Sequence, residues 1–227
     1  MITLINTLPE VAADSVALAR IRCTFCAYGN YPDIALFWQQ TDDSGELVAV
    51  LCSIDNNMTV WSRDADNELK AFISASGAST IFAEADVAQF LGIKGERLCA
   101  VMTLSSTGST ESTVNINTLY EIFKDEFDIN RVEFIADISH RLRHGGGKCV
   151  IIENSAAFMQ LSQSCGYITG VVVSAQNRLK GQGSALLSEL LKTKKEIPVY
   201  ACCSDKVLPF YLKNNFFKIT PCVIGSI

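Results

Sequence analysis

The sequence GVVVSAQNRLKGQGSALL, residues 170–187, decides the fold of this chain. A run of β-branched residues leads into a short polar loop with two glycines, and an amphipathic helix follows. Amides in the first turn of a helix have no partner inside the helix, and the helix dipole makes that end partly positive. Gly181 and Gly183 let the backbone approach an anion closely. Because Arg178 and Lys180 add positive charge there, the stretch predicts a phosphate-binding loop between a strand and a helix.

Two common phosphate-loop patterns do not match this stretch. The dinucleotide fingerprint GxGxxG lacks its third glycine, because Leu186 stands in that place. A Walker A loop needs Gly-Lys-Ser/Thr after the glycine run, and no such triplet follows. What remains is the spacing Arg178-x-x-Gly181-x-Gly183-x-Ala185, directly after three valines.

This spacing resembles motif A of the GNAT acetyltransferase superfamily, R-x-x-G-x-G-x-A followed by leucines. A second segment, FYLKNNF at residues 210–216, is similar to the family's F-Y-x-x-x-G-F ending. Asn215 stands where glycine is usual, a mild departure because asparagine tolerates the left-handed backbone that ends a helix. The resemblance covers about residues 118–227.

The resemblance implies a cofactor site. In the family, the strand before the loop pairs with the pantetheine arm of acetyl-CoA, and the loop amides hold the pyrophosphate. A backbone amide of that strand, here from Val172 or Val173, polarises the thioester carbonyl. The implied cosubstrate is acetyl-CoA, without a metal, and the implied cofactor-binding residues are Val171, Val172, Val173, Arg178, Leu179, Lys180, Gly181, Gln182, Gly183 and Ser184.

The resemblance also implies an enzyme, an N-acetyltransferase that moves an acetyl group directly to a primary amine of a small molecule or peptide. Tyr211 matches the family's tyrosine that often reaches the coenzyme sulfur, so it is the candidate proton donor. The alternative is a tyrosine that packs beside Phe210, with its hydroxyl hydrogen-bonded for structural reasons. A non-catalytic acyl-CoA-binding or interaction module of the same fold is the second hypothesis.

The general base is not marked by a motif. The predicted strand 167–173 contains no carboxylate, so Glu153, at the end of another predicted strand, is the candidate base. An exposed strand-end charge is the alternative for Glu153. A base that acts through a chain of water molecules would leave no motif at all.

The order of predicted elements indicates two similar halves. Each half contains three strands, a helix, a strand, a short helix and a strand, so the fold class is α/β (mixed α+β). We expect tandem GNAT-like units, each a mixed, mostly antiparallel sheet flanked by helices. The polar segment 105–113 is the predicted linker, between a domain of residues 1–113 and the acetyl-CoA-binding domain of residues 114–227.

The first half is predicted to be a degenerate unit. Its joint between strand and helix, residues 61–67, contains no glycine and carries carboxylates, which repel a phosphate. We therefore expect a structural role for this half, or one wall of the substrate pocket. The predicted helices include 9–29, 131–144 and 181–194, the last with a solvated basic end at Lys192, Lys194 and Lys195.

Composition bounds the partners. The net charge of −5 argues against nucleic acid, and no stretch of 18 apolar residues predicts a membrane span. The first ten residues lack the basic segment of a secretory signal, so a cytoplasmic location is expected. The sequence does not give the oligomeric state and leaves a homodimer open.

Two residue patterns admit other functions. Nine cysteines, two of them spaced Cys23-x-x-Cys26, raise the alternative of a thiol redox protein. The expectation is that the cysteines are buried, reduced thiols. His140 and His144 have a spacing that can chelate a metal, although the dipole at a helix end also favours basic residues there. For Arg141 and Arg143 the expectation is a solvated helix end, and the alternative is contact with substrate or with the other domain.

Overall fold

The computed structural model of the chain describes residues 1–109 and 114–227, so the last four residues of the predicted linker lie outside the described residues. The elements up to the linker are β1 (Ile2–Leu4), α1 (Val16–Tyr28), β2 (Ala35–Thr41), β3 (Leu47–Ile54), β4 (Asn57–Ser62), α2 (Asn67–Ala75), β5 (Thr80–Glu84), α3 (Ala85–Leu91), β6 (Lys94–Leu104) and β7 (Ser106–Thr107). After the linker follow α4 (Ile116–Phe123), α5 (Arg131–Arg143), β8 (Gly147–Ile152), β9 (Ser155–Leu161), β10 (Gly166–Val172), α6 (Gln182–Leu190), β11 (Lys192–Thr193), β12 (Pro198–Cys203), α7 (Leu208–Lys213) and β13 (Phe217–Ser226).

One continuous sheet joins the two halves. Its strand order is β1-β2-β3-β4-β5-β13-β6-β12-β10-β9-β8. β4 and β5 are parallel, as are β10 and β12, and the other described neighbours in this sheet are antiparallel. The predicted mixed, mostly antiparallel α/β fold with two like units is confirmed, and the two sheets are joined edge to edge.

The two halves exchange their last strands. β13, from the end of the chain, pairs with β5 of the first half, and β6 pairs with β12 of the second half. β13 and β6 then pair with each other at the centre of the sheet. Leaving out β1, the first half contributes β2-β3-β4-β5 and the second half contributes β8-β9-β10-β12. Each of these sets of four strands is completed by the last strand of the other half.

Helix α1 also joins the halves, because it lies across the face of the shared sheet. It is buried in one cluster with Phe37 and Val50 of the first half and with Tyr167 and Tyr200 of the second half. The boundary between residues 113 and 114 stays a prediction. The sheet and α1 show that the residues before and after this predicted domain boundary share one core.

The exchanged strands approach closely at a pair of glycines. Gly95 of β6 lies opposite Gly225 of β13. A Cβ built on Gly95 would come within 2.0 Å of the Ile224 carbonyl oxygen, and one on Gly225 within 2.1 Å of the Lys94 carbonyl oxygen. The contacted atoms are backbone, so they have no rotamer with which to move away.

Gly95→Ala is therefore expected to lower the free energy of unfolding by about 1–3 kcal/mol, the range of overpacked cores. Gly146→Ala is the matched control, because the nearest atom to a Cβ there is at 3.8 Å. Urea denaturation of both variants measures the difference. An unchanged midpoint for Gly95→Ala would contradict this close approach of β6 and β13.

Several predicted element boundaries move for identifiable reasons. α1 begins at Val16 rather than near residue 9, because the Ser15 hydroxyl accepts a hydrogen bond from the Leu18 amide and caps the helix. The last strand continues to Ser226 through a register shift between Ile219 and Cys222, which accommodates Pro221.

The predicted extent of helix 181–194 is wrong, because Lys192 lies in a strand instead of at the helix end. α6 ends at Leu190, and Lys192–Thr193 form β11, which pairs in parallel with β7 at the start of the predicted linker. Lys148, 3% exposed, donates hydrogen bonds to the carbonyl oxygens of Ser109 (3.1 Å) and Lys192 (2.6 Å). Burial lowers the pKa of Lys148. The described part of the linker is thus held against the second half.

Among the described residues, none of the helices combines the length and the apolar character needed to span a lipid bilayer.

Candidate functional site

A slot opens where strands β10 and β12 part. Their parallel pairing runs from Gly166 to Ile168 on β10 and ends at Ala201 on β12, although β10 continues to Val172. The register of β10 with β9 shifts between Ile168 and Gly170, at the same level. Along the described chain, the β12 side of β10 beyond Ile168 has no strand partner. Its backbone groups are free to pair with an extended ligand, as in strand addition.

A cavity of about 320 Å³ lies at this slot. It brings together five of the predicted site residues: Val171, Val172, Val173, Arg178 and Tyr211. The other residues that line it are Glu126, Phe127, Val207 and Phe210. The two segments that carried the resemblance, the phosphate loop and the F-Y helix, therefore meet at one cavity.

Tyr211 is buried, with 5% of its surface exposed, and its ring packs edge-on against Phe210 (5.3 Å between centroids) and Phe216 (5.0 Å). Its hydroxyl forms no hydrogen bond with another described residue. Burial raises the pKa of Tyr211, so the phenol stays protonated. The alternative role for Tyr211 was a tyrosine that packs beside Phe210 and whose hydroxyl is hydrogen-bonded for structural reasons. The ring does pack in this way, but the hydroxyl has no such partner among the described residues.

The loop after β10 ends in a helix without a side-chain cap. A single 3-10 turn, Ala175–Asn177, precedes it, and Gly181 occupies the N-cap of α6 with a φ of 83°. In the described chain, the amides of Gln182, Gly183 and Ser184 have no hydrogen-bond acceptor. The buried Ser174 hydroxyl, just before the turn, has no partner either. Free donors at a helix N-terminus fit a diphosphate.

The two glycines of the loop have different surroundings. A Cβ on Gly181 would meet no atom within 4 Å, so the space beside it is open. A Cβ on Gly183 would lie 2.9 Å from the Phe210 ring and 3.4 Å from Val173. A side chain at Gly183 would disturb the packing of α7 as well as any ligand, so Gly181 is the cleaner position for a binding test.

Arg178 connects the loop to the residues after α4. Its Nε donates to the Val173 carbonyl oxygen at 3.1 Å, and its Nη2 forms an ion pair with Glu126. Both side chains are about half exposed. Lys180 and Leu179 are exposed beside the same turn, and Leu179 has a left-handed backbone with a φ of 64°.

Glu153 is placed differently from the other predicted site residues. It lies in the turn between β8 and β9 with a φ of 52° and is not among the residues that line the cavity. Its carboxylate accepts hydrogen bonds from Asn177 (2.7 Å) and from the Gln182 amide group (3.3 Å). Gln182 also donates to the Ile152 carbonyl oxygen at 3.0 Å. Glu153 thus ties the loop to the neighbouring turn.

Sequence reasoning missed Glu126, Phe127 and Val207. Glu126 and Phe127 follow α4, far from the motifs in the chain, and no pattern of residue types marks them. Gly170 gives the one signal for Phe127. A Cβ there would meet Phe123 at 2.6 Å and Phe127 at 3.2 Å, so a glycine is needed where these rings cross β10.

The first half places carboxylates where the second half has free amides. Asp66 caps α2 by accepting a hydrogen bond from the Leu69 amide at 2.8 Å. The Gln40 amide group donates to Asp66 (2.8 Å) and to Glu68 (3.1 Å) at the same helix end. The Leu69 amide of this helix end is thus satisfied, and two carboxylates lie beside it, which disfavours a phosphate.

The residues considered for a metal or for substrate contact meet the first half instead. His140 hydrogen-bonds the Ala27 carbonyl oxygen at 2.7 Å, and its ring lies 4.6 Å from that of His144. Arg141, 2% exposed, donates to the Cys23 carbonyl oxygen at 3.1 Å. The expected solvated helix end is wrong for Arg141, while Arg143 remains exposed.

The nine cysteines all lie among the described residues. Six of them are buried: Cys23, Cys52, Cys149, Cys165, Cys203 and Cys222. Burial raises the pKa of Cys52 to about 11 and those of Cys149 and Cys203 to about 12, which makes these thiols poor nucleophiles at neutral pH.

Comparison with known proteins identifies this architecture. No family model and no curated protein matches the chain. A GCN5-related N-acetyltransferase from Sphaerobacter thermophilus is similar in structure with a TM-score of 0.57 at 16% identity, over 97% of this chain and 96% of that one. A GCN5-related N-acetyltransferase from Kribbella flavida gives 0.57 at 11%, over 93% and 94%. A tandem GNAT protein from the clavulanic acid biosynthesis pathway gives 0.52 at 8%, over 89% and 87%. The chain has the tandem GNAT fold.

Proposed function

We propose that this chain, which has the tandem GNAT fold, is an acyl-CoA-dependent N-acyltransferase that moves an acetyl group from acetyl-CoA directly to a primary amine of a small molecule or peptide. One observation carries the proposal. The cavity at the slot where β10 and β12 part is lined by Arg178, which belongs to the loop that ends at the uncapped N-terminus of α6. An extended chain that ends in a diphosphate needs these two features side by side. We also propose a cytoplasmic location, where the cysteines would stay reduced.

The residues of the second half would hold the cosubstrate as follows. The backbone edge of Val171, Val172 and Val173 pairs with the pantetheine arm, except for the Val173 carbonyl oxygen, which accepts a hydrogen bond from Arg178. The diphosphate lies against the amides of the loop, residues 181–184, with positive charge from Arg178 and Lys180. Acetyl-CoA supplies an acetyl group that is already activated as a thioester, so the protein needs mainly to position two substrates and to move protons.

Tyr211 is the proposed proton donor to the leaving sulfur. Its free hydroxyl and its raised pKa support this role, because a donor must reach the cavity still carrying its proton. Glu126 lines the cavity, whereas Glu153 does not, so we assign the acceptance of the amine's proton to Glu126. This role requires that Arg178, which pairs with Glu126 in the free protein, turns to the diphosphate when acetyl-CoA binds. Glu153 then acts as a positioning residue, which holds Asn177 and Gln182 of the loop.

Tyr211→Phe is expected to lower kcat about 10- to 100-fold, because it removes the donor and keeps the ring. The Kd for acetyl-CoA and the melting temperature are expected to stay within error, since the hydroxyl makes no hydrogen bond to the described protein. Steady-state kinetics, calorimetry and thermal unfolding measure the three quantities. Tyr120→Phe on α4 is the matched control, and an unchanged kcat for Tyr211→Phe would contradict the assignment.

Two measurements test the function itself. Calorimetry with acetyl-CoA should show binding, and absence of heat at hundreds of micromolar would refute the proposal. Release of free thiol from acetyl-CoA in the presence of a panel of amines reports turnover. Binding without turnover on any amine would identify the chain as a non-catalytic acyl-CoA-binding module.

A further inference from the structure

A second, polar cavity lies between the two halves. It has a volume of about 290 Å³ and sits where α1 and α5 face strands β9 and β10. Six of its lining residues carry hydrogen-bonding side chains: Arg20, Thr24, Arg141, Gln160, Tyr167 and Thr169. We call it the arginine cavity. Arg20 and Thr24 come from α1 of the first half, so the cavity does not exist within the second half alone.

The arginine cavity carries positive charge that the protein does not fully balance. Arg20 has no carboxylate within ion-pair distance among the described residues. Its guanidinium lies 4.1 Å from the centre of the Phe82 ring and 5.4 Å from that of Tyr167. Arg141 pairs with Asp137 at 2.8 Å, and the lining contains no aspartate or glutamate among the described residues. A partly buried guanidinium without a counter-charge favours an anion.

Among the other lining groups, Gln160 adds an amide group that can donate to the same anion. Burial raises the pKa of Tyr167, so its phenol stays neutral, but the hydroxyls of Tyr167 and Thr24 already interact with the thiols of Cys202 and Cys52. A guanidinium with a neighbouring amide donor matches a carboxylate, which accepts several hydrogen bonds and binds arginine through both of its oxygens.

The arginine cavity lies next to the slot. Thr169 lines the first and Val171 lines the cavity at the second, and both belong to β10. Two residues of extended strand span about 7 Å. The two cavities therefore adjoin along β10, which would place a small molecule with its carboxylate at Arg20 near the point where β10 and β12 part.

We propose that the arginine cavity binds the carboxylate of the acceptor, so that the acceptor class is amino acids or short peptides that carry a free carboxylate and a primary amine on one small molecule. This inference rests on the proposed function, because it names the second substrate of that site. It also gives the first half a task in recognition, through Arg20.

The test uses the full chain without acetyl-CoA. Calorimetry with each of the common L-amino acids is compared with calorimetry with the corresponding amino acid amides, which lack the negative charge. We expect at least one amino acid to bind and its amide to bind at least tenfold more weakly. This comparison needs no variant, so it does not depend on whether a variant folds.

Arg20→Met is expected to weaken binding of that amino acid at least tenfold, because it keeps an unbranched apolar side chain on α1 and removes the guanidinium that lies over Phe82. The Kd for acetyl-CoA should not change. Arg20→Lys keeps a positive charge without the planar guanidinium, so its affinity for the amino acid should lie between those of the wild type and Arg20→Met. Arg63→Met, at an exposed ion pair with Glu46, is the matched control.

The possible outcomes separate the two proposals. If acetyl-CoA binds but no amino acid does, or if acid and amide bind equally, the arginine cavity does not recognise a carboxylate and the proposed function stands. Unchanged binding in Arg20→Met also overturns this inference. If an amino acid binds in an Arg20-dependent manner and acetyl-CoA does not bind, the carboxylate site stands and the transferase is refuted.

Discussion

Gly181→Asp is expected to abolish acetyl-CoA binding, whereas Gly181→Asn is expected to retain most of it. The two side chains have nearly the same size and differ in charge. Both tolerate a left-handed backbone better than most residues, which matters because the φ of Gly181 is 83°. The space beside Gly181 is open, so neither side chain meets a neighbouring atom at its Cβ, and both variants carry the same strain of a left-handed backbone.

The physical reason is repulsion at the diphosphate. Two like charges about 4 Å apart repel by about 4 kcal/mol when the effective dielectric constant is about 20. Even after screening by salt, we expect the Kd of Gly181→Asp to rise at least about 100-fold, which is about 2.7 kcal/mol. The substitution places a carboxylate at the N-terminus of α6. In the first half, α2 already has a carboxylate at its N-terminus, that of Asp66.

Calorimetry with acetyl-CoA at low and high salt measures this effect. The gap between the Asp and Asn variants should narrow as salt rises, because the repulsion is partly exposed to solvent. If both variants bind equally well, the diphosphate does not lie at this turn. If both lose binding equally, the side chain acts by its size, and the charge argument is wrong.

Residues 114–227, produced alone, are not expected to fold. In the whole chain, β12 pairs with β6, and β13 lies between β5 and β6. Without the first half, β12 loses one neighbour and β13 loses both. The face of β10 and β12 that packs against α1, including Tyr167 and Tyr200, would also be exposed to water.

The loss is expected to exceed the whole stability of a domain of this size, about 5–15 kcal/mol. Circular dichroism and the dispersion of amide signals in NMR spectra measure it. Co-expression of residues 1–109 with residues 114–227 is the control and should restore a soluble complex that melts cooperatively. Cooperative unfolding of residues 114–227 alone would show that the second half is an independent domain.

The sequence was most informative where the signal is local. The helix start at Gly181 and the F-Y segment can be recognised from short patterns. Both features, a free helix end and a packed tyrosine, are determined by residues that are close in the sequence. The α/β class and the order of strands and helices follow from the same kind of pattern. The comparisons confirm the tandem GNAT fold, while the assignment of Tyr211 and the loop residues to catalysis and binding stays a prediction.

The sequence was least informative where distant segments meet. Arg141 reads as a charged residue at a helix end, and its burial depends on Cys23, 118 residues away. Glu126 reads as one more acidic residue after a helix, and its place at the cavity depends on the path of β10. The strand exchange leaves no pattern at all, because β6 and β13 have the same alternation whichever half they join.

The strand exchange also bears on how such a chain tolerates mutation. In a symmetric dimer of single units, the same crossing of last strands would tie two identical copies together. In one polypeptide the two halves need not have the same sequence, but each still needs the last strand of the other. The first half can lack an anion-binding loop and carry carboxylates there, yet its deletion would leave the sheet of the second half incomplete. Loss of a binding site from one half is therefore compatible with the fold, whereas loss of the whole half is not.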